Sequence, residues 1–203
     1  MAATVGVSGL GAASESSGDD VSKFDPSDHT EVIEAYNTLK QMPEKKAEDI
    51  WVDDLSNNQT DSIINLIKTE MEAEFTTVES ESVSALSEYQ RQSVVEKAYG
   101  GIKGVVGQEY VLEHHLNWEY NGSDYRDANC DAVGNPSGLF ASYVETIQET
   151  VVEYDDYFVS KVAGKFALDP PDDTNPVEVL ARINIKGYPD GDHRVAKKQA
   201  PLV

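Results

Sequence analysis

Phe140, Val144, Ile147, Val151, Tyr154, Phe158 and Val162 step mostly by four and three, the spacing of one continuous apolar face on a helix, and Gly164 follows as a stop. The spacing predicts a helix over 139–163 with Phe140, Val144, Ile147, Val151, Tyr154 and Phe158 on its buried side, joined by Tyr143. At 1.5 Å per residue such a helix runs about 37 Å, long enough to organise a whole domain around it. The expected fold class is therefore mainly α, a helical bundle.

Shorter helical patterns precede it. Asp28 with Glu31 three residues on reads as a capping box, opening a run with Val32, Tyr36 and Leu39 on one face. Pro43 stops that run and suits the first turn of the next, where Ala47, Ile50, Trp51 and Leu55 share a stripe. Thr60 can cap a third helix carrying Ile63, Ile64, Ile67, Met71 and Phe75. Ser87 and Gln90 suggest a capping box for a fourth, with Val94, Val95, Ala98 and Tyr99, ended by Gly100-Gly101. Residues 102–120 fit either a helix or a pair of strands. The Gly, Pro, Asp and Asn content of 121–138 reads as a long surface loop.

After a Pro/Asp linker at 169–176 the period changes to two. Val177, Val179, Ala181, Ile183 and Ile185 alternate with Glu178, Leu180, Arg182, Asn184 and Lys186, which predicts a half-buried strand over 177–186. A turn at Tyr188-Pro189-Asp190-Gly191 leads to a short tail with no further strand pattern. The expected organisation is an extended arm at 1–27, rich in Gly, Ser and Ala, then a helical domain at 28–168 with a loop insert at 121–138. A linker, a strand or hairpin arm and a basic tail occupy 169–203. No second run matches the strand, so it is expected to pair with another chain, since a lone strand leaves a row of unsatisfied backbone groups. The expected oligomer interface is Val177, Val179, Ala181, Arg182, Ile183, Ile185, Lys186, Arg194, Lys197 and Lys198.

Charge narrows the function classes. Asp and Glu total 37 against 16 Lys and Arg, a net charge of −21, which repels nucleic acid and anionic membrane and excludes a simple DNA-binding module. Acid spread along the whole chain with few lysines suits work in strong salt, where the Debye length falls to about 3 Å. The balance reverses near the end: from Ala181 onward five basic residues face two acids. The start lacks the basic region of a secretory signal, so the protein is expected to be made and used without export.

No motif supplies a reaction centre. Cys130 stands alone, which rules out an internal disulfide. Glu113-His114-His115 lacks the HExxH spacing of a zinc site, and the paired acids lack the oxygen spacing of a calcium loop. Gly100-Gly101-Ile102-Lys103-Gly104 follows a helical pattern and lacks the Lys-Ser/Thr ending of a phosphate loop. The expectations are no enzyme, no cofactor and no metal.

Within Lys46–Tyr110, the run Asp61-Ser62-Ile63-Ile64-Asn65-Leu66-Ile67 followed by Tyr89-Gln90-Arg91-Gln92-Ser93-Val94-Val95-Glu96-Lys97-Ala98-Tyr99 resembles the helices of head–tail adaptor (connector) proteins of tailed double-stranded DNA viruses. With the acidic composition, the resemblance implies a virus of a salt-loving archaeon. It implies a ring of identical copies at the head–tail junction, touching the portal and the tail or neck proteins, with DNA present only in passage and no membrane contact. The location implied is the virion, assembled in the host cytoplasm. The alternatives are another virion part, for tail completion or capsid decoration, or a cytosolic haloarchaeal protein, even a metal-dependent enzyme using the histidine pair.

Overall fold

Alternation of buried and exposed side chains, not helical spacing, organises most of the chain. The computed structural model describes residues 21–83, 88–171 and 176–200. A 3-10 turn at Val21–Lys23 leads to α1 (His29–Lys40), α2 (Glu44–Asp49), a π-helical turn at Ile50–Asp54 and α3 (Asn57–Glu70). Eight strands follow: β1 (Met71–Val83), β2 (Gln90–Ile102), β3 (Tyr110–Tyr120), β4 (Tyr125–Pro136), β5 (Ala141–Glu153), β6 (Phe158–Leu168), β7 (Val177–Gly187) and β8 (His193–Gln199). They form two antiparallel four-stranded sheets, ordered β1-β2-β3-β4 and β5-β6-β7-β8. The expected helical bundle is therefore wrong, and the protein is mostly β.

The sheets face each other. Val94, Ala98, Leu112, Leu116 and Trp118 from the first pack against Phe158, Val162, Phe166, Val179, Ala181, Ile183 and Ile185 from the second. Aromatic pairs span the gap: Tyr110 stacks on Phe166 at 4.7 Å, and the Trp118 and Phe158 rings meet edge to face at 5.5 Å. The helices close one end, where Tyr36, Leu39, Trp51, Ile63 and Ile67 meet Ile102, Leu139, Leu168 and Val177.

The helical segment follows its caps. Asp28 accepts from the Thr30 and Glu31 amides at the start of α1, while Glu31 reaches past it to accept from Asp25 N at 2.7 Å. Ser56, not Thr60, caps α3, with Gln59 Oε1 accepting from Ser56 N at 2.9 Å. Met71 and Phe75 lie beyond α3, on β1.

Three expected elements change type. The helix over 139–163 is the β5–β6 hairpin. Between Tyr143 and Glu145, and again between Thr146 and Gln148, the β5–β6 register slips by one residue. Val144 and Ile147 are the extra residues, and two bulges in one strand turn a period of two into the three-and-four stepping of a helix. The helix expected over 87–99 is β2, whose inward face carries Gln92 and Glu96 among Val94 and Ala98; these polar positions hide the alternation. Its capping residue Ser87 lies outside the described residues. The loop insert at 121–138 contains β4, whose inward residues Ala128, Cys130, Ala132 and Gly134 are too small to signal a strand.

The strand at the end of the chain exists, with two neighbours inside its own chain. β7 pairs along its length with β6 and, from Arg182 to Gly187, with β8. The β7 backbone from Arg182 to Gly187 is therefore taken up on both sides within its own chain, and the tail at 193–199 is itself a strand. Of the arm expected at 1–27, residues 1–20 lie outside the described residues, as do the linker residues 172–175, while Val21 and Phe24 pack against the helices.

Candidate functional site

Three groupings of polar or exposed side chains stand out. The first joins the helices to the sheets. Glu109, with no solvent exposure, accepts from Tyr36 Oη at 2.8 Å and from Lys40 Nζ at 2.6 Å. Its backbone is held as firmly: Glu109 N donates to Gly100 O at 2.7 Å, and the Glu109 carbonyl accepts from Ser137 N and Gly138 N. A Cβ at position 138 would lie 2.1 Å from Glu109 Oε2, so only glycine fits there. Burial and the adjacent carboxylate push the Tyr36 hydroxyl well above its usual range. Every atom that could react is engaged in this contact, which reads as an anchor for α1.

The second grouping lies between the sheets. His114 Nε2 is 2.7 Å from Ser160 Oγ, and both residues have no solvent exposure. Burial holds the His114 imidazole down to about 4, with the Ile183 carbonyl opposing the shift and His115 adding to it. Glu96 lies opposite His114 in the β2–β3 ladder. Its carboxylate accepts from Thr77 Oγ1 and pairs with Lys198 Nζ at 3.3 Å, leaving His114 Nδ1 without an orienting carboxylate. Burial also raises the Cys130 thiol, against the Ser160 hydroxyl.

Sequence reasoning missed this serine–histidine contact because the two residues are 46 positions apart and on different sheets. A nucleophile and base are present, but neither reaches solvent, and the imidazole is a weak base so far below neutrality. A fluorophosphonate probe at about pH 7.5 is expected to leave Ser160 unlabelled by peptide mass mapping; stoichiometric labelling would make this contact an active site. His114 and His115 cannot share a metal, because neighbours on a strand point to opposite faces: His114 faces the core, while His115 bonds Glu113 Oε2 at 2.9 Å outside. Among the described residues no three His, Cys, Asp or Glu side chains converge as metal ligands.

The third grouping is a surface. Val144 (48% exposed), Ile147 (47%), Val152 (37%) and Val133 (36%) lie on the flank where the β4 and β5 edges meet. Val144 and Ile147 are the two bulge residues, so the irregularity that blunts β5 as an edge also turns two aliphatic side chains into water. The flank is held closed from within. Gly134 of β4 lies beneath the Tyr143 ring, where a Cβ would come within 2.1 Å, and Glu149 Oε2 accepts from Ala132 N at 3.1 Å. Tyr125 Oη accepts from Tyr154 N at 3.1 Å and donates to the Tyr157 carbonyl at 3.0 Å, tying β4 to the β5–β6 turn. Around these apolar residues the charge is acidic: residues 125–156 hold seven acids and one arginine.

The residues expected to form the interface and the helix core separate by face. Val179, Ala181, Ile183 and Ile185 are buried between the sheets, and Val177 beneath the helices. Arg182 and Lys186 lie on the outer face of β7, Arg194 and Lys197 beside them on β8, and Lys198 turns inward to Glu96. Of the expected helix core, Phe158 is fully buried and Val151 packs against the inter-sheet core. Phe140 sits in the β4–β5 connection at a φ of 58°, edge to face with Trp51 at 5.5 Å. Val144, Ile147 and Tyr154 are exposed, the reverse of the expectation.

No family model, no curated protein and no solved structure matches this chain.

Proposed function

We propose that the protein is a structural subunit that assembles with copies of itself into a ring within a virion, and that the β4–β5 flank is one of its assembly surfaces. The carrying observation is the apolar content of that flank: β4 and β5 carry four of the exposed aliphatic side chains, two of them placed outward by bulges. A second copy is the occupant we favour, because the same chain carries a basic face on β7–β8 to meet the acidic rim of the flank.

The finer placement is the head–tail junction of a tailed virus of a salt-loving archaeon. It rests on the −21 net charge and on α3, which contains the Asp61–Ile67 run of the adaptor resemblance. The other half of that resemblance, Tyr89–Tyr99, falls on β2 and its approach and lends no helix. An acidic subunit would let DNA slide past without holding it. The mostly-β fold favours, as a second reading, another virion position such as tail completion or capsid decoration.

Sedimentation in molar KCl tests the assembly. The wild-type chain of 22.2 kDa is expected to run as a multiple of that mass, and a Val144→Lys/Ile147→Lys variant, both positions being exposed, as a folded monomer. A wild-type protein that stays monomeric at high concentration would overturn the proposal.

A further inference from the structure

The two edges of the second sheet differ in character. β5, at one edge, carries Val144 and Ile147 outward, with Glu145, Glu149 and Glu153 exposed among them. β8, at the other edge, presents Arg194 and Lys197, both exposed and without an ion-pair partner among the described residues. Ala196 lies between them, an extra residue where the β7–β8 register slips, and is exposed as well.

Three strand spacings, about 14 Å, separate β5 from β8 across the sheet. That exceeds the Debye length in molar salt several-fold, so the two edges do not neutralise each other within one chain. A surface that pairs with a different surface of the next copy gives a heterologous contact, which closes into a ring when the rotation permits.

We infer that the β8 edge of one copy docks along the β4–β5 flank of the next, Arg194 and Lys197 against the acidic rim and their aliphatic stems with Ala196 over Val144 and Ile147. This rests on the assembly reading above and adds its polarity. The bulges matter here. They remove the regular row of backbone groups that strand addition needs, so the contact is made by side chains. Long basic side chains suit it, since their stems cover apolar surface while their charged ends reach the carboxylates at the rim. An isologous contact of flank on flank would instead bring two acidic rims together at short range, where even strong salt leaves like charges repelling.

Charge exchange tests the pairing. One variant carries Arg194→Glu/Lys197→Glu, a second Glu145→Lys/Glu153→Lys, and a third all four changes. All four positions are exposed strand sites, and circular dichroism in molar KCl confirms each fold. The first two are expected to sediment as monomers and to associate when mixed, reaching the wild-type mass where the ring has an even number of copies, since the two variants must alternate. The third is expected to assemble alone, because both reversed surfaces again match. If the wild type assembles, Val144→Lys/Ile147→Lys disrupts it and the single-surface reversals leave the mass unchanged, the head-to-tail pairing is wrong while the assembly reading stands. If the single-surface variants are monomeric but neither mixing nor the fourfold change restores mass, the pairing is also wrong. Duplex DNA retained by the wild type and lost on Arg194→Glu/Lys197→Glu, with mass unchanged, would assign the β8 edge to nucleic acid instead.

Discussion

Replacing Lys40 with Met is expected to destabilise the protein by about 3–5 kcal/mol, among the largest effects a single substitution should have here. The Lys40 side chain is 10% exposed and Glu109 not at all. The methionine keeps the aliphatic stem and removes the charge, leaving a carboxylate buried with the Tyr36 hydroxyl as its remaining side-chain donor. An uncompensated buried charge is the costly outcome; a buried pair exchanged whole for apolar residues is often close to neutral. A Lys40→Met/Glu109→Leu double variant should therefore recover most of the loss. Thermal unfolding in molar KCl reads both, with the single variant lower by about 10 °C. Equal losses in the single and double variants would mean that Lys40 acts by packing and that its charge does not support Glu109.

The second large effect is on pH. His114 titrates near 6.5 when unfolded and near 4 when buried beside Ser160, so the fold holds it neutral. A depressed histidine contributes stability that is complete above the unfolded value and is lost as pH falls from about 6.5 to 4. Over that window the loss is about 3 kcal/mol, since a tenfold change in proton affinity is worth about 1.4 kcal/mol. The groups around the ring are Ser160, the Ile183 carbonyl, Cys130 on β4, His115 and the cross-strand Glu96, whose charge is already engaged by Lys198. Glu113 and Glu119 are held below their usual range by hydrogen bonds and ion pairs, chiefly with Lys97, His115 and Arg126. Their contribution is lost lower, as pH falls below about 4.5. Chemical denaturation from about pH 7 to 4 should show a steeper decline for the wild type than for His114→Gln, the two curves converging toward the acid end. Parallel curves across the window would show that His114 is not the titrating group.

How much of this was legible in the sequence follows from what each element buries. The helices were legible because their ends carry chemical signals: Asp28 caps α1, Pro43 precedes α2, and apolar residues recur at helical spacing through Ile67. β7 was legible because both sheet partners and the opposite sheet demand alternation without interruption from Val177 to Ile185. β5 was not, because its bulges shift which residues face in, and Val144 and Ile147 take positions that helical spacing assigns to a core. β2 was obscured by the buried Glu96, whose carboxylate accepts from Thr77 and pairs in charge with Lys198 from a strand near the far end of the chain. β8 reads as a basic tail because one of its inward residues is that lysine.

The same physics explains the surface. The reversal of charge after Ala181 was plain in the sequence. The apolar residues that complete the contact were assigned to the inside of a helix, and the contact itself to the backbone of β7. The fold moves the apolar residues outward to the flank beside β5, and the docking proposed above is made by side chains of β8.

Electron cryomicroscopy of the wild-type protein in molar salt would locate the β4–β5 flank within an assembled particle. Closed rings are expected, with Val144 and Ile147 covered by the Arg194–Lys197 edge of the adjacent copy. Single 22.2 kDa particles, or rings whose subunits meet elsewhere and leave Val144 and Ile147 in solvent, would contradict the proposed docking.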